Sequence, residues 1–135
     1  MSPPSFASAS LYVAAGGALG SWLRFLVGRA WTLAIGPIAA STFPWATLTV
    51  NVTGSFAMGM LAGWLARFGA HGEASRLLLG VGVLGGFTTF SSFTLEFALL
   101  VERGTLGAAA IYVAASLAAG FAGLFAGLYA MRVLA

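Results

Sequence analysis

From Thr105 to Met131 the chain carries no charged side chain. This run exceeds the roughly 20 residues that a helix needs to cross a bilayer. Three other stretches are nearly as apolar: about Ala7 to Gly28, Pro44 to Ala66 and Leu77 to Val101. In hydrocarbon, backbone N–H and C=O groups must be satisfied within the protein, which favours helices for single spanning segments. Composition agrees. Of 135 residues, 60% are hydrophobic and 7% charged, with a mean hydropathy of +0.99; a soluble domain carries about 25% charged residues. The expected fold is all-α and integral to the membrane, a single domain over residues 1–135 with four transmembrane helices.

The connections are short. "AIGPIAASTFP" reads as a loop, with Pro37 and Pro44 as breakers. "RFGAHGEASR" is a polar loop, and its lone His71 reads as solvated. "ERG" is so brief that the fourth span must lie antiparallel to and beside the third. The opening "MSPPSFASAS" lacks the positive n-region of a cleaved signal peptide, so the first span is expected to be retained. Cysteine is absent, which excludes disulfides and thiolate metal sites. No hydrolytic triad, metal-ligand cluster or phosphate loop stands in the sequence, so an enzyme is not expected. The net charge of +3 does not imply nucleic acid in a chain this apolar.

The arginines bear on orientation. Four spans put Arg67, Arg76 and Arg132 on the side of both termini, and Arg24, Arg29 and Arg103 on the other. Excess Lys/Arg normally marks the cytoplasmic side. Three against three gives no bias, so the chain is free to insert both ways and to build an antiparallel dimer from one gene.

Polar residues and glycines interrupt the spans in a pattern. Each span holds a Gly-x-x-x-Gly pair (Gly16/Gly20, Gly59/Gly63, Gly82/Gly86, Gly123/Gly127), which allows close helix approach. In the second span Thr47, Asn51 and Ser55 share one helix face. They form either interhelical hydrogen bonds or a pore-facing stripe. In the third, Gly80, Gly82, Gly85 and Gly86 precede Thr88 and Thr89, and the helix is expected to break there. Freed carbonyls would attract cations, and half-helix N-termini anions. Phe90 and Phe93 then lie about 60° apart on one face, with Ser91 and Ser92 pointing elsewhere. The rings pack in the core or against lipid, or present their positive edges to an anion. Glu96 is the only acidic residue well inside a span and a functional candidate on that ground: a protonated donor, a proton relay or an ion-pair partner. Tyr112 and Ser116 share a face of the fourth span.

"GGALGSWLRF", "TLTVNVTGSF" and "GGFTTFSSFTLE" resemble the three signature stretches of the Fluc fluoride channels, also called the CrcB family. The third motif is highly specific, and the match covers three of four spans in order. The resemblance implies an antiparallel, dual-topology homodimer with two fluoride pores in a bacterial-type inner (plasma) membrane. It implies a vestibule arginine at Arg24 and a pore asparagine at Asn51. It also implies a pair of pore phenylalanines at Phe90 and Phe93, a polar track including Ser91 and Ser92, and a pore-adjacent carboxylate at Glu96. The family commonly has threonine where Ser92 stands. Tyr112 and Ser116 resemble a fourth-helix pair of pore residues. A structural sodium ion at the dimer axis is implied too, held by backbone carbonyls at Gly85 and Thr88. The expected function is passive, fluoride-selective export. The alternative is a proton-coupled small-solute exporter of the four-helix, dual-topology type using Glu96, although such exporters typically carry a first-span glutamate that this chain lacks. A non-transporting helical scaffold is a further class.

Overall fold

A computed structural model describes residues 4–69 and 72–134; His71 lies outside the described residues. The described chain is helical and has four helices long and apolar enough to cross a membrane. Helix α1 (Phe6–Ile35) begins at Ser5, whose hydroxyl accepts from the Ser8 N–H at 3.3 Å. It runs seven residues past the expected end at Gly28, because nothing before Gly36 disfavours a helix. Gly36 stops it with φ +83, a conformation that strains L side chains. Pro37 then opens a short helix α2 (Pro37–Thr42), since proline is suited to a first helical turn that needs no N–H donor. The segment expected as a loop is therefore mostly helical. Arg24, near the expected end of the first span, stands eleven residues before Ile35, the end of α1.

Helix α3 (Trp45–Phe68) is the second span. The third begins with α4, the consecutive stretches Gly72–Ser75, Arg76–Leu84 and Gly85–Phe87. It continues after two extended residues as α5 (Phe90–Glu102). Gly104 at φ +73 turns the chain into α6 (Leu106–Leu134).

Two helix pairs form the body of the fold: α1 against α4, and α3 against α6. Glycine makes both. A Cβ on Gly20 would collide with the backbone of Val83 and stand 2.8 Å from Phe87 N, and one on Gly82 would stand 2.9 Å from Gly16 Cα. Gly59 and Gly127 meet the backbones of Leu124 and Phe56 in the same way. Contacts advance in the same direction along both members, so each pair is parallel. In α5 and α6, Glu96 faces Tyr112 and Leu100 packs near Ala109, so these two run antiparallel as expected.

The glycine cluster of the third span is thus helical. Arg76–Leu84 is wound wide, as a π-helix, and the Gly85 N–H reaches both Gly80 O and Gly82 O. Helical geometry fails at Thr88 and Thr89, just beyond the glycines.

Candidate functional site

The site is built around Thr88 and Thr89, both extended (ψ 160° and 124°). Their extension interrupts the helical hydrogen-bond ladder, and side chains take up two of the freed N–H groups. In a continuous helix the Thr89 N–H would donate to Gly85 O, but here it donates to Asn51 Oδ1 at 2.8 Å. The Ser92 N–H would donate to Thr88 O, but it donates to Thr89 Oγ1 at 3.2 Å. Asn51 also donates from Nδ2 to Thr89 O at 3.0 Å. One side chain on α3 thus satisfies both backbone groups of Thr89, at a place where an unsatisfied buried group costs about 1–3 kcal/mol. Thr89 in turn caps α5 and donates from Oγ1 to Ser92 Oγ at 3.1 Å, with Ser91 Oγ at 3.4 Å. The hydroxyl series of the third span is partly a capping device. A threonine ahead of an apolar run is the sequence signal for it.

One helical turn from Asn51 along α3, Thr47 donates to Glu96 Oε1 at 2.8 Å, and Tyr112 donates to Glu96 Oε2 at 2.7 Å. Tyr112 is fully buried. Its ring packs edge-on to Phe43 (centroids 5.6 Å) and against Phe93 (5.1 Å). Glu96 is therefore held by hydroxyls from two helices, and the described residues give it no ion-pair partner.

Phe93 and Phe90 follow each other at 5.8 Å. Phe93 is half-buried against Tyr112, whereas Phe90 is 77% exposed, and Ser91 is exposed beside it. Phe90 borders a cavity of about 280 Å³ with Asn51, Ser55, Thr88 and Thr89. Ser55 also borders a second cavity, about 220 Å³, with Ser116 and Gly120. Ser116 Oγ is buried without a hydrogen-bond partner. Such a hydroxyl either carries a desolvation cost or serves something that visits it.

The fold brings most of the expected residues into one polar seam. Thr47, Asn51 and Ser55 line α3 over about 12 Å, faced in turn by Glu96 with Tyr112, by Thr89, and by Ser116. Arg24, half-buried on α1, is not among the residues bordering the seam's two cavities. Sequence reasoning missed two cross-links at the end of the bundle near α2. Trp31 Nε1 donates to Thr49 Oγ1 at 3.0 Å, and its ring stacks on Trp45 at 5.5 Å. Arg103 donates to Ser41 O at 3.0 Å.

No described group of His, Cys, Asp or Glu could hold a metal. The carbonyls of Gly85 and Thr88, each without its helical donor, are oxygen ligands of the kind that hard cations take. A sodium ion would take oxygen donors of this kind, and Gly85 itself is exposed.

A multi-pass membrane protein with a hydroxyl-lined seam and an intramembrane carboxylate is the class that this fold defines. The family model described as CrcB-like protein, Camphor Resistance (CrcB), matches residues 11–128. A protein of Novosphingobium aromaticivorans named Fluoride-specific ion channel FluC is 60% identical over 112 residues, covering 83% of this chain and 86% of the relative. Proteins of the same name from Rhodospirillum centenum and Caulobacter vibrioides are 59% and 54% identical, each over 78% of this chain and 81% of the relative. The chain belongs to the CrcB family.

Proposed function

We propose that this chain is a fluoride-selective channel through which cytoplasmic fluoride leaves the cell passively. The identity of 60% to a protein named as a fluoride-specific ion channel carries the reading. The seam supports it chemically. Fluoride is small and strongly hydrated, so a path must replace its water with donors that are numerous and individually weak. Asn51 keeps a second N–H beyond the one given to Thr89. Ser55, Ser91, Ser92 and the orphan hydroxyl of Ser116 supply O–H donors. Phe90 and Phe93 supply ring edges. Arg24 raises the anion concentration in the vestibule. Tyr112 and Thr47 fix the Glu96 carboxyl beside the path. Hydrogen fluoride enters acidified cells neutral and dissociates inside, so an open anion leak is enough for export.

The working unit in this reading is an antiparallel, dual-topology homodimer with two pores, in a bacterial-type inner membrane. The arginine balance supports both insertions. The exposure of Phe90, Ser91 and Gly85 supports a partner over that face. The interrupted stretch at Thr88–Thr89 would then lie near mid-membrane at the dimer axis. Gly85 and Thr88 carbonyls would hold the structural sodium ion there, and its fixed charge lowers the cost of a nearby anion. The experiment is fluoride efflux, read with a fluoride electrode, from liposomes containing only this chain. Rapid uncoupled efflux is expected; a rate equal to that of protein-free liposomes would overturn the reading. Topology reporters on the C-terminus should report both orientations, and a single orientation would remove the antiparallel pair.

A further inference from the structure

A third cavity, about 210 Å³, opens where α2 meets α5. Ser41, Thr42, Arg103 and Glu96 border it. Glu96 and Arg103 are seven residues apart, two turns on one face of the third span, so the cavity extends along the helix from Arg103 to Glu96. Arg103 is placed by the backbone. Its N–H bonds Leu99 O at 3.1 Å, and Gly104 and Thr105 close the turn with bonds to Val101 O and Leu100 O. One guanidinium N–H is spent on Ser41 O near the C-terminal end of α2. A guanidinium has five donors, so four remain at an exposed cavity mouth. From the sequence, Arg103 was only a charge in a three-residue loop.

We propose that this cavity is an entrance to the seam for a small hydrated anion, and that Arg103 is its collecting charge. Ser41 O steers the guanidinium so that its free edge faces the opening. The positive charge concentrates the anion and offsets the field of the Glu96 carboxyl at the inner end. A low-dielectric cleft focuses such a field more than a flat surface does. Thr42 stands at the same wall, its hydroxyl donated to Ala39 O at 2.8 Å, so the guanidinium supplies the donors at the mouth.

This rests on the fluoride-channel reading, and the test separates the two. Fluoride efflux from liposomes is measured for the native chain, Arg103→Gln, Arg103→Lys and Arg132→Gln at low and at high ionic strength. The Debye length falls from about 30 Å at 0.01 M to about 3 Å at 1 M, so a collecting charge acts mainly in dilute salt. Arg103→Gln is expected to slow efflux about threefold or more in dilute salt and to approach the native rate in concentrated salt. Arg103→Lys should keep the native rate. Arg132→Gln, the same charge lost outside the cavity, should stay within about twofold. Equal rates for Arg103→Gln and the native chain at both ionic strengths would overturn the entrance. So would an equal loss at both, which marks a structural role. No efflux from the native chain would overturn the channel reading instead. Because the chain has no cysteine, Thr42→Cys supplies a single thiol. Its modification by a sulfonate-bearing thiol reagent should slow efflux more than modification by an ammonium-bearing one. Equal effects of the two labels would contradict the proposal.

Discussion

The two halves of the third span are built for different neighbours. Before Thr88 the helix is glycine-rich and meets α1 backbone to backbone, with Gly82 against Gly16 and Val83 against Gly20. After Thr89 it meets α3 and α6 through side chains: Glu96 to Thr47 and Tyr112, and Thr89 to Asn51. From Leu77 to Phe87 the first half has no polar side chain to offer, so shape alone holds it there. The second half has many, and each needs a partner in a medium without water. Two extended residues separate these regimes, and Asn51 makes the separation affordable by taking both of the Thr89 backbone groups.

That contrast can be broken from either side. The largest effect is expected in the dry half. Gly20→Leu forces a side chain into the backbone of Val83 and Phe87. Overpacking costs about 1–3 kcal/mol where neighbours can yield; here the neighbour is backbone, and most of the folded protein should be lost on size-exclusion in detergent. Gly28→Ala, on the same helix with open space around it, should be tolerated and gain up to about 1 kcal/mol of helix propensity. Next comes Asn51→Leu, which strands the Thr89 N–H and C=O at about 1–3 kcal/mol each. Thermal unfolding should show the loss, and fluoride efflux per folded molecule should fall with it. Tyr112→Phe removes one bond to Glu96 and should cost about 1–2 kcal/mol, while the ring still fills its place beside Phe43 and Phe93. Ser116→Ala should have the smallest effect on stability, neutral or slightly favourable, because its hydroxyl has no partner to lose. If that hydroxyl serves the ion, efflux drops while unfolding does not move. A clear stability loss instead would mean that Ser116 has a structural partner.

The membrane class and four spans were legible because hydrocarbon leaves little choice: the runs from Pro44 to Ala66 and from Thr105 to Met131 match their helices within about two or three residues. The shared face of Thr47, Asn51 and Ser55 was legible from helical period alone. What faces each of them was not, because Glu96, Thr89 and Ser116 arrive from other helices through tertiary packing. The interruption fell at Thr88–Thr89 rather than among the glycines for the same reason. Glycine weakens an isolated helix, but Gly82 and Gly86 against α1 gain contact that a side chain would forbid. The first connection was misread because Pro37 and Gly36 signal a stop without saying whether the chain restarts as a helix.

The central claim is that the side chains of the polar half of the third span line the conducting path, whereas the glycine half contributes backbone alone. The most direct measurement is fluoride efflux per folded molecule for the Phe90→Ile, Phe93→Ile double variant beside the native chain. Isoleucine keeps the apolar bulk and removes the ring edges. The account predicts efflux lower by at least about tenfold, or roughly 1.4 kcal/mol in the barrier, with the folded protein retained. A native rate from the folded variant would contradict it.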